Sequence, residues 1–151
     1  MTYTKPLPKI RPYTKEFWEA AKRGELLIQH CDDCNRNIFY PRAVCPRCKG
    51  KNVRYIKTSG RGRLFSFSLV EKGAPPDFKE DVPYVICLVD LDEKVRIGSM
   101  LVGYDDYWAL KPGMEVEVVF HPVTEEISLP KFKPVGSEFV FPEQNQSEEG
   151  T

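Results

Sequence analysis

Cys31-Asp32-Asp33-Cys34 and Cys45-Pro46-Arg47-Cys48, separated by ten residues, are the segments whose reading decides the fold. A Cys-x-x-Cys turn aims two sulfurs at one point. Two such turns facing each other complete a tetrahedron of thiolates around an ion at about 2.3 Å. Two disulfides, or four unrelated thiols, would not require this paired spacing with Pro46 inside the second turn. Cys31, Cys34, Cys45 and Cys48 therefore read as metal ligands. Closed four-sulfur sites hold zinc or iron, and zinc is favoured because nothing else in the chain suggests electron transfer. Four protein ligands leave no position for water or substrate, so the site is structural and not catalytic. Structural zinc supplies on the order of 10 kcal/mol of folding energy. A ribbon of roughly forty residues has little core of its own, and the ion replaces it.

On the N-terminal side, Pro6, Pro8 and Pro12 imply an extended arm. Thr14 reads as an N-cap, Phe17, Trp18, Ala20 and Ala21 as an apolar stripe, and Gly24 as the stop of a short helix. Such a helix cannot stand alone. Phe17 and Trp18 must dock, on the chain's own ribbon or in a partner's groove. Residues 26–30, 37–40 and 53–58 read as the ribbon strands. His30 adjoins a ligand but is supernumerary, and a structural role is expected.

On the C-terminal side, Ser59-Gly60-Arg61-Gly62 reads as a hinge. Five strands follow, at 62–71, 83–91, 95–103, 114–121 and 127–134, with one helical turn within 104–110. In the first, alternation places Phe65, Phe67 and Leu69 on one face. Five strands with a helical connection between the third and fourth suit the OB-fold barrel, with an SH3-like barrel as rival. The chain is thus mainly β: an N-terminal arm and short helix (1–24), a rubredoxin-like zinc ribbon (25–60), an OB-fold barrel (61–135) and a flexible acidic tail (136–151).

Net charge is zero but unevenly spread. Residues 1–60 carry thirteen basic and five acidic side chains, and the remainder is net acidic. A basic segment can meet nucleic acid, a phosphorylated ligand or an acidic protein surface. No apolar run reaches the roughly 18 residues of a membrane span. Residues 1–11 lack the apolar stretch of a secretory signal. Cysteines committed to metal imply a reducing compartment, so the cytoplasm is expected.

Little supports autonomous catalysis. Cys87 lies in Val-Ile-Cys-Leu-Val, the setting of a buried inert thiol. His30 and His121 have no nucleophile motif around them. Asp105-Asp106 and Glu125-Glu126 are adjacent pairs that read as solvated loop charge.

The order of these elements resembles a family of zinc-ribbon/OB-fold proteins associated with acyl-CoA metabolism, long known as a domain of unknown function. The resemblance rests on Phe17-Trp18, Gly24-Glu25-Leu26, Gln29-His30-Cys31, Cys34, Tyr40-Pro41-Arg42, Cys45-Pro46-Arg47-Cys48, Gly60-Arg61-Gly62, Pro83-Tyr84, Leu88-Val89-Asp90-Leu91 and Gly113-Met114-Glu115-Val116. These cover about residues 11–121. Asn35 departs from a frequent Gly, but Asn tolerates a left-handed turn. The resemblance implies a non-catalytic accessory subunit of thiolase-fold enzymes, in a hetero-oligomer whose partner performs the carbon–carbon bond chemistry on acyl-CoA. It implies acyl-CoA or coenzyme A as ligand. Coenzyme A phosphates want cations beside an apolar groove, and Arg42, Arg47, Arg61, Arg63 and Lys131 are candidates. Phe65, Phe67 and Tyr84 could line the acyl–pantetheine arm, with Phe17 and Trp18 as candidate partner contacts. Nucleic-acid binding is the alternative, disfavoured because the barrel segment is acidic where an OB groove for single strands is basic.

Overall fold

The computed structural model describes residues 3–141. Helix α1 spans Lys15–Lys22 and buries Phe17, Ala20 and Ala21, the spacing of one helical face. Thr14 makes no side-chain cap. Its Oγ1 instead accepts from the Arg11 N–H at 2.8 Å, holding the preceding turn. Gly24, at φ +83°, ends the helix in the left-handed conformation that a side chain would disfavour.

The ribbon is an antiparallel sheet of β1 (Leu27–Cys31), β2 (Arg36–Ile38) and β3 (Val53–Lys57), in the order β2-β1-β3. The barrel comprises β4 (Arg61–Val70), β5 (Tyr84–Leu91), β6 (Arg96–Leu101), β7 (Glu115–Pro122) and β8 (Ser128–Pro134). It closes in the order β4-β5-β6-β8-β7, with β6 meeting β8 in parallel at Leu101 and Phe132. A 3-10 turn, Tyr107–Ala109, joins β6 to β7. The five-stranded closed barrel is that of the OB-fold, and the SH3-like alternative falls.

Two local expectations change. A register shift between Leu64 and Ser66 makes a bulge at Phe65. The bulge turns Phe65 outward, 48% exposed, while Leu64 is fully buried and Phe67 and Leu69 pack against the core. Phe65 and Phe67 therefore do not share a face. Gly62 belongs to β4, not to a hinge. A Cβ there would lie 2.4 Å from the Asp90 carbonyl oxygen, so the close approach of β4 to β5 requires glycine. The bend itself is at Ser59 and Gly60.

One core runs through all three parts. Phe17 and Ala20 of α1 and Leu27 and Ile28 of the ribbon join Leu64, Val89, Ile97 and Phe132 of the barrel. Asn37 ties the ribbon to the barrel again, donating from Nδ2 to the Glu93 carbonyl at 2.9 Å. Residues 136–141, expected within a flexible tail, fold back on the barrel: Phe141 stacks on His121 with centroids 4.2 Å apart, and Phe139 covers Gly103. The rest of that acidic tail, 142–151, lies outside the described residues. Among the described residues no helix is long and apolar enough to cross a membrane.

Phe132 is fully buried where β6, β7 and β8 converge. Phe132→Ala should cost about 3–5 kcal/mol, read as a lowered urea midpoint.

Candidate functional site

Cys31 ends β1, Cys34 lies in the turn to β2, and Cys45 and Cys48 lie in the loop to β3. The four Sγ atoms lie within 4.8 Å of one another. Cys31 and Cys48 are 3.6 Å apart and Cys34 and Cys45 3.7 Å. A tetrahedron with 2.3 Å bonds places its sulfurs about 3.8 Å apart, whereas a disulfide needs about 2.05 Å. The residues fit one thiophilic ion and exclude bridging. Asn35 and Lys49, each following the second cysteine of a turn, take left-handed φ angles of 56° and 62°. The Gly50 N–H donates to Cys48 Sγ at 3.4 Å, orienting that sulfur as an outer-shell partner. Without a cation, burial and the other three thiols push Cys34 up to about 12. An ion reverses this, since binding releases the thiol protons.

His30 lies outside this group. Its Nδ1 meets Asn37 Oδ1 at 2.7 Å, so it belongs to the link between ribbon and barrel.

A mainly apolar concavity of about 520 Å³ opens where α1, the ribbon and the barrel meet. Its apolar walls include Phe17 and Trp18 of α1, Phe39, Tyr40 and Pro41 after β2, and Met100 of β6. Lys9, Arg11 and Lys131 bring positive charge. Gln29 holds one wall in place. It is buried, accepts from the Arg42 N–H at 2.7 Å and donates to the Arg42 carbonyl at 2.9 Å. Two smaller concavities adjoin. One, of about 390 Å³, shares Tyr13, Tyr40 and Pro41 with the groove and adds Arg42 and Lys49. The other, of about 300 Å³, shares Phe39 and gathers Arg36, Arg47, Lys94 and Arg96.

The candidate ligand residues thus divide. Lys131 lines the groove, while Arg42 and Arg47 line its neighbours. Arg61 and Arg63 do not line any of the three. They are on β4, which β5 and β7 separate from the β6–β8 seam, and they face Glu117 at 3.8 Å and Glu115 at 3.5 Å. Phe65 lies under the Arg96 guanidinium at 3.5 Å, Phe67 packs on Tyr107 and Tyr84 on Phe78. Phe17 is 4% exposed, edge-on to Trp18 and against Phe39, so its ring is spent inside the chain. Sequence reasoning passed over Lys9, Arg11, Phe39 and Gln29. The proline-rich arm and the Tyr40-Pro41 pair were the signals available for them.

Lys131 Nζ donates to His121 Nδ1 at 2.9 Å. Burial, then Lys131 and Lys5, push His121 down to about 4. Burial lowers Lys131 as well. Cys87 is buried on β5 and its thiol is pushed up to about 12 by burial, the state of an unreactive thiol.

Comparison with known proteins matches this architecture. The model of the ChsH2 rubredoxin-like zinc ribbon domain matches residues 18–54, and that of the ChsH2 C-terminal OB-fold domain residues 55–121. A DUF35 domain-containing scaffold protein of Methanothermobacter thermautotrophicus is 39% identical over 75% of this chain and 85% of its own length. The chain belongs to the DUF35 family of zinc-ribbon/OB-fold proteins. A solved structure titled Ltp2-ChsH2(DUF35) aldolase aligns with TM-score 0.72 and 30% identity, covering 85% of this chain and 98% of that one. Subunit BbsA of a benzoylsuccinyl-CoA thiolase from Thauera aromatica is 29% identical over 64% of this chain and 67% of its own length.

Cys34→Ser should lower bound metal well below one equivalent and unfold the ribbon, read by metal analysis and circular dichroism. His121 is favoured neutral in the folded state, so stability should fall as pH drops from about 6.5 through about 4. Urea midpoints at pH 7 and pH 5 measure that slope, which His121→Gln should flatten.

Proposed function

We propose that the chain is a non-catalytic, zinc-containing scaffold subunit that binds acyl-CoA within a thiolase- or aldolase-type complex. The observation that carries this reading is the junction groove and its cationic neighbours. An acyl–pantetheine arm is long and mainly apolar, and the groove offers Trp18, Phe39, Tyr40 and Met100. The nucleotide end carries phosphates, and the crevice joined to the groove through Phe39 offers Arg36, Arg47 and Lys94. No ion pair engages these three among the described residues, which leaves their charge for a ligand. Zinc is the ion expected at the four thiolates. The site is closed to substrate, so the ion holds the groove's ribbon wall and takes no part in chemistry.

The exposed barrel wall supports a role as a subunit. Ile86 and Leu88 on β5, 48% and 39% exposed, adjoin Phe65 and present uncharged apolar surface to solvent. Contiguous surface of this kind marks a protein contact. It also bears on the nucleic-acid alternative. Single strands need cations and stacking aromatics along an OB face; Ile86, Leu88 and Gly98 supply neither, and the adjoining Phe65 is covered by Arg96, whose charge is paired with Asp90 at 2.7 Å.

Calorimetric titration of the zinc-loaded protein with coenzyme A tests the reading. Arg47→Glu should weaken binding about tenfold, the order of one lost charge-assisted contact. Leu88→Glu should reduce co-purification of a thiolase-fold partner while leaving the titration unchanged. Failure to bind any coenzyme A ester, with salt-sensitive binding to an oligonucleotide, would overturn it.

A further inference from the structure

Lys131 is unlike the other cations of the groove. Lys9 and Arg11 are exposed on the arm, whereas Lys131 is half-buried on β8. No carboxylate pairs with it among the described residues. The charges that act on it are Asp81, which favours its cation, and Lys5, which opposes it, and Asp81 is itself held by Lys5 at 2.9 Å. Its close polar partner is an imidazole, His121 Nδ1, at 2.9 Å. The imidazole is fixed from its other side by Phe141, parallel to it within 7°. A lysine among apolar walls, with no carboxylate in contact among the described residues and next to a neutral imidazole, has the makings of a nucleophile. Burial favours its free amine. The imidazole is neutral near pH 7, so it does not itself deprotonate the lysine cation, but its Nδ1, in contact with Nζ, can relay the proton that the nitrogen sheds after addition to the departing sulfur.

From this geometry we infer that Lys131 is an acylation site, at which the amine takes the acyl group of a thioester bound in the groove. The inference rests on the acyl-CoA reading of that groove. The Nζ lone pair attacks the thioester carbonyl carbon. A carbon–nitrogen bond forms, the carbon–sulfur bond breaks, and the pantetheine sulfur leaves as a thiolate. The nitrogen's surplus proton passes to His121 Nδ1, and the thiolate is protonated in turn, so an amide and a free thiol replace an amine and a thioester. No oxidant or further reactant is needed. The acyl-lysine would lose its charge and project its acyl chain along the groove walls, between Leu129 and Met100. Acylation would thereby occlude the groove in proportion to thioester exposure.

Acetyl-CoA is the probe, incubated with the full zinc-loaded chain at constant pH and sampled over time. Peptide mass spectrometry reads the label at every lysine, and calorimetry on the same sample reads binding. Lys131 should be acetylated about tenfold faster than exposed Lys72 and Lys111, the margin expected of a partly deprotonated, bound nucleophile. Excess coenzyme A should slow that site and leave Lys72 and Lys111 unchanged. His121→Phe, which keeps an aromatic ring against Phe141, should reduce the Lys131 rate several-fold while leaving Lys72 and Lys111 unchanged. Binding of acetyl-CoA with uniform labelling of all lysines would overturn the inference and leave the acyl-CoA reading intact. Absence of binding would overturn both. A Lys131 rate unchanged by His121→Phe, with the variant folded by circular dichroism, would overturn the role of the imidazole and with it this mechanism.

Discussion

Four sulfurs converging on one point hold this architecture together. The ribbon has three short strands, and its own cluster of buried apolar residues amounts to Cys31, Ile38 and Cys45. That is too little apolar area to fix thirty residues of chain against their conformational entropy. The thiolate cluster closes β1 to the loop before β3 and so fixes the segment between. Everything the ribbon contributes to the groove, from Phe39 to Arg42, belongs to that segment. Gln29 then pins it by two hydrogen bonds from the strand that also carries Cys31.

The second constraint is the shared core. Phe17 penetrates between ribbon and barrel instead of projecting outward, and Phe39 leans on it with centroids 6.0 Å apart. Helix α1 is eight residues long and could not persist in water by propensity alone. Packing on β1, β7 and β8 stabilises it, and in return it roofs the groove. The concavity is therefore a property of three segments together. No single one contains it, and the charges around it come from the arm, the ribbon and the last strand.

That division explains what could be read from the sequence. The metal ligands were legible because four residues at fixed spacing state a geometry, and the barrel because five apolar-alternating runs with turn residues state a count. The bulge at Phe65 was not: period-2 alternation carries no mark of an inserted residue, and Leu64 looks like its neighbours until its burial is known. Arg61 and Arg63 looked available because their partners, Glu117 and Glu115, are more than fifty residues away across the β4–β7 pairing. The groove was invisible for the same reason, since residues near 10, 40, 100 and 130 meet only after closure. Lys131 could be named from its sequence neighbourhood, but its imidazole partner could not.

Tyr40 and Pro41 touch the groove, while the same loop is tethered by the sulfur cluster. A molecule seated there would resist the opening of the loop and so slow escape of the ion. Reciprocity follows from thermodynamic linkage: whatever the occupant gains from an intact ribbon, the ion gains from the occupant. A chelator and a molecule in the groove would thus be antagonists at a distance, and metal supply would set how much of the protein keeps the groove in shape to hold one.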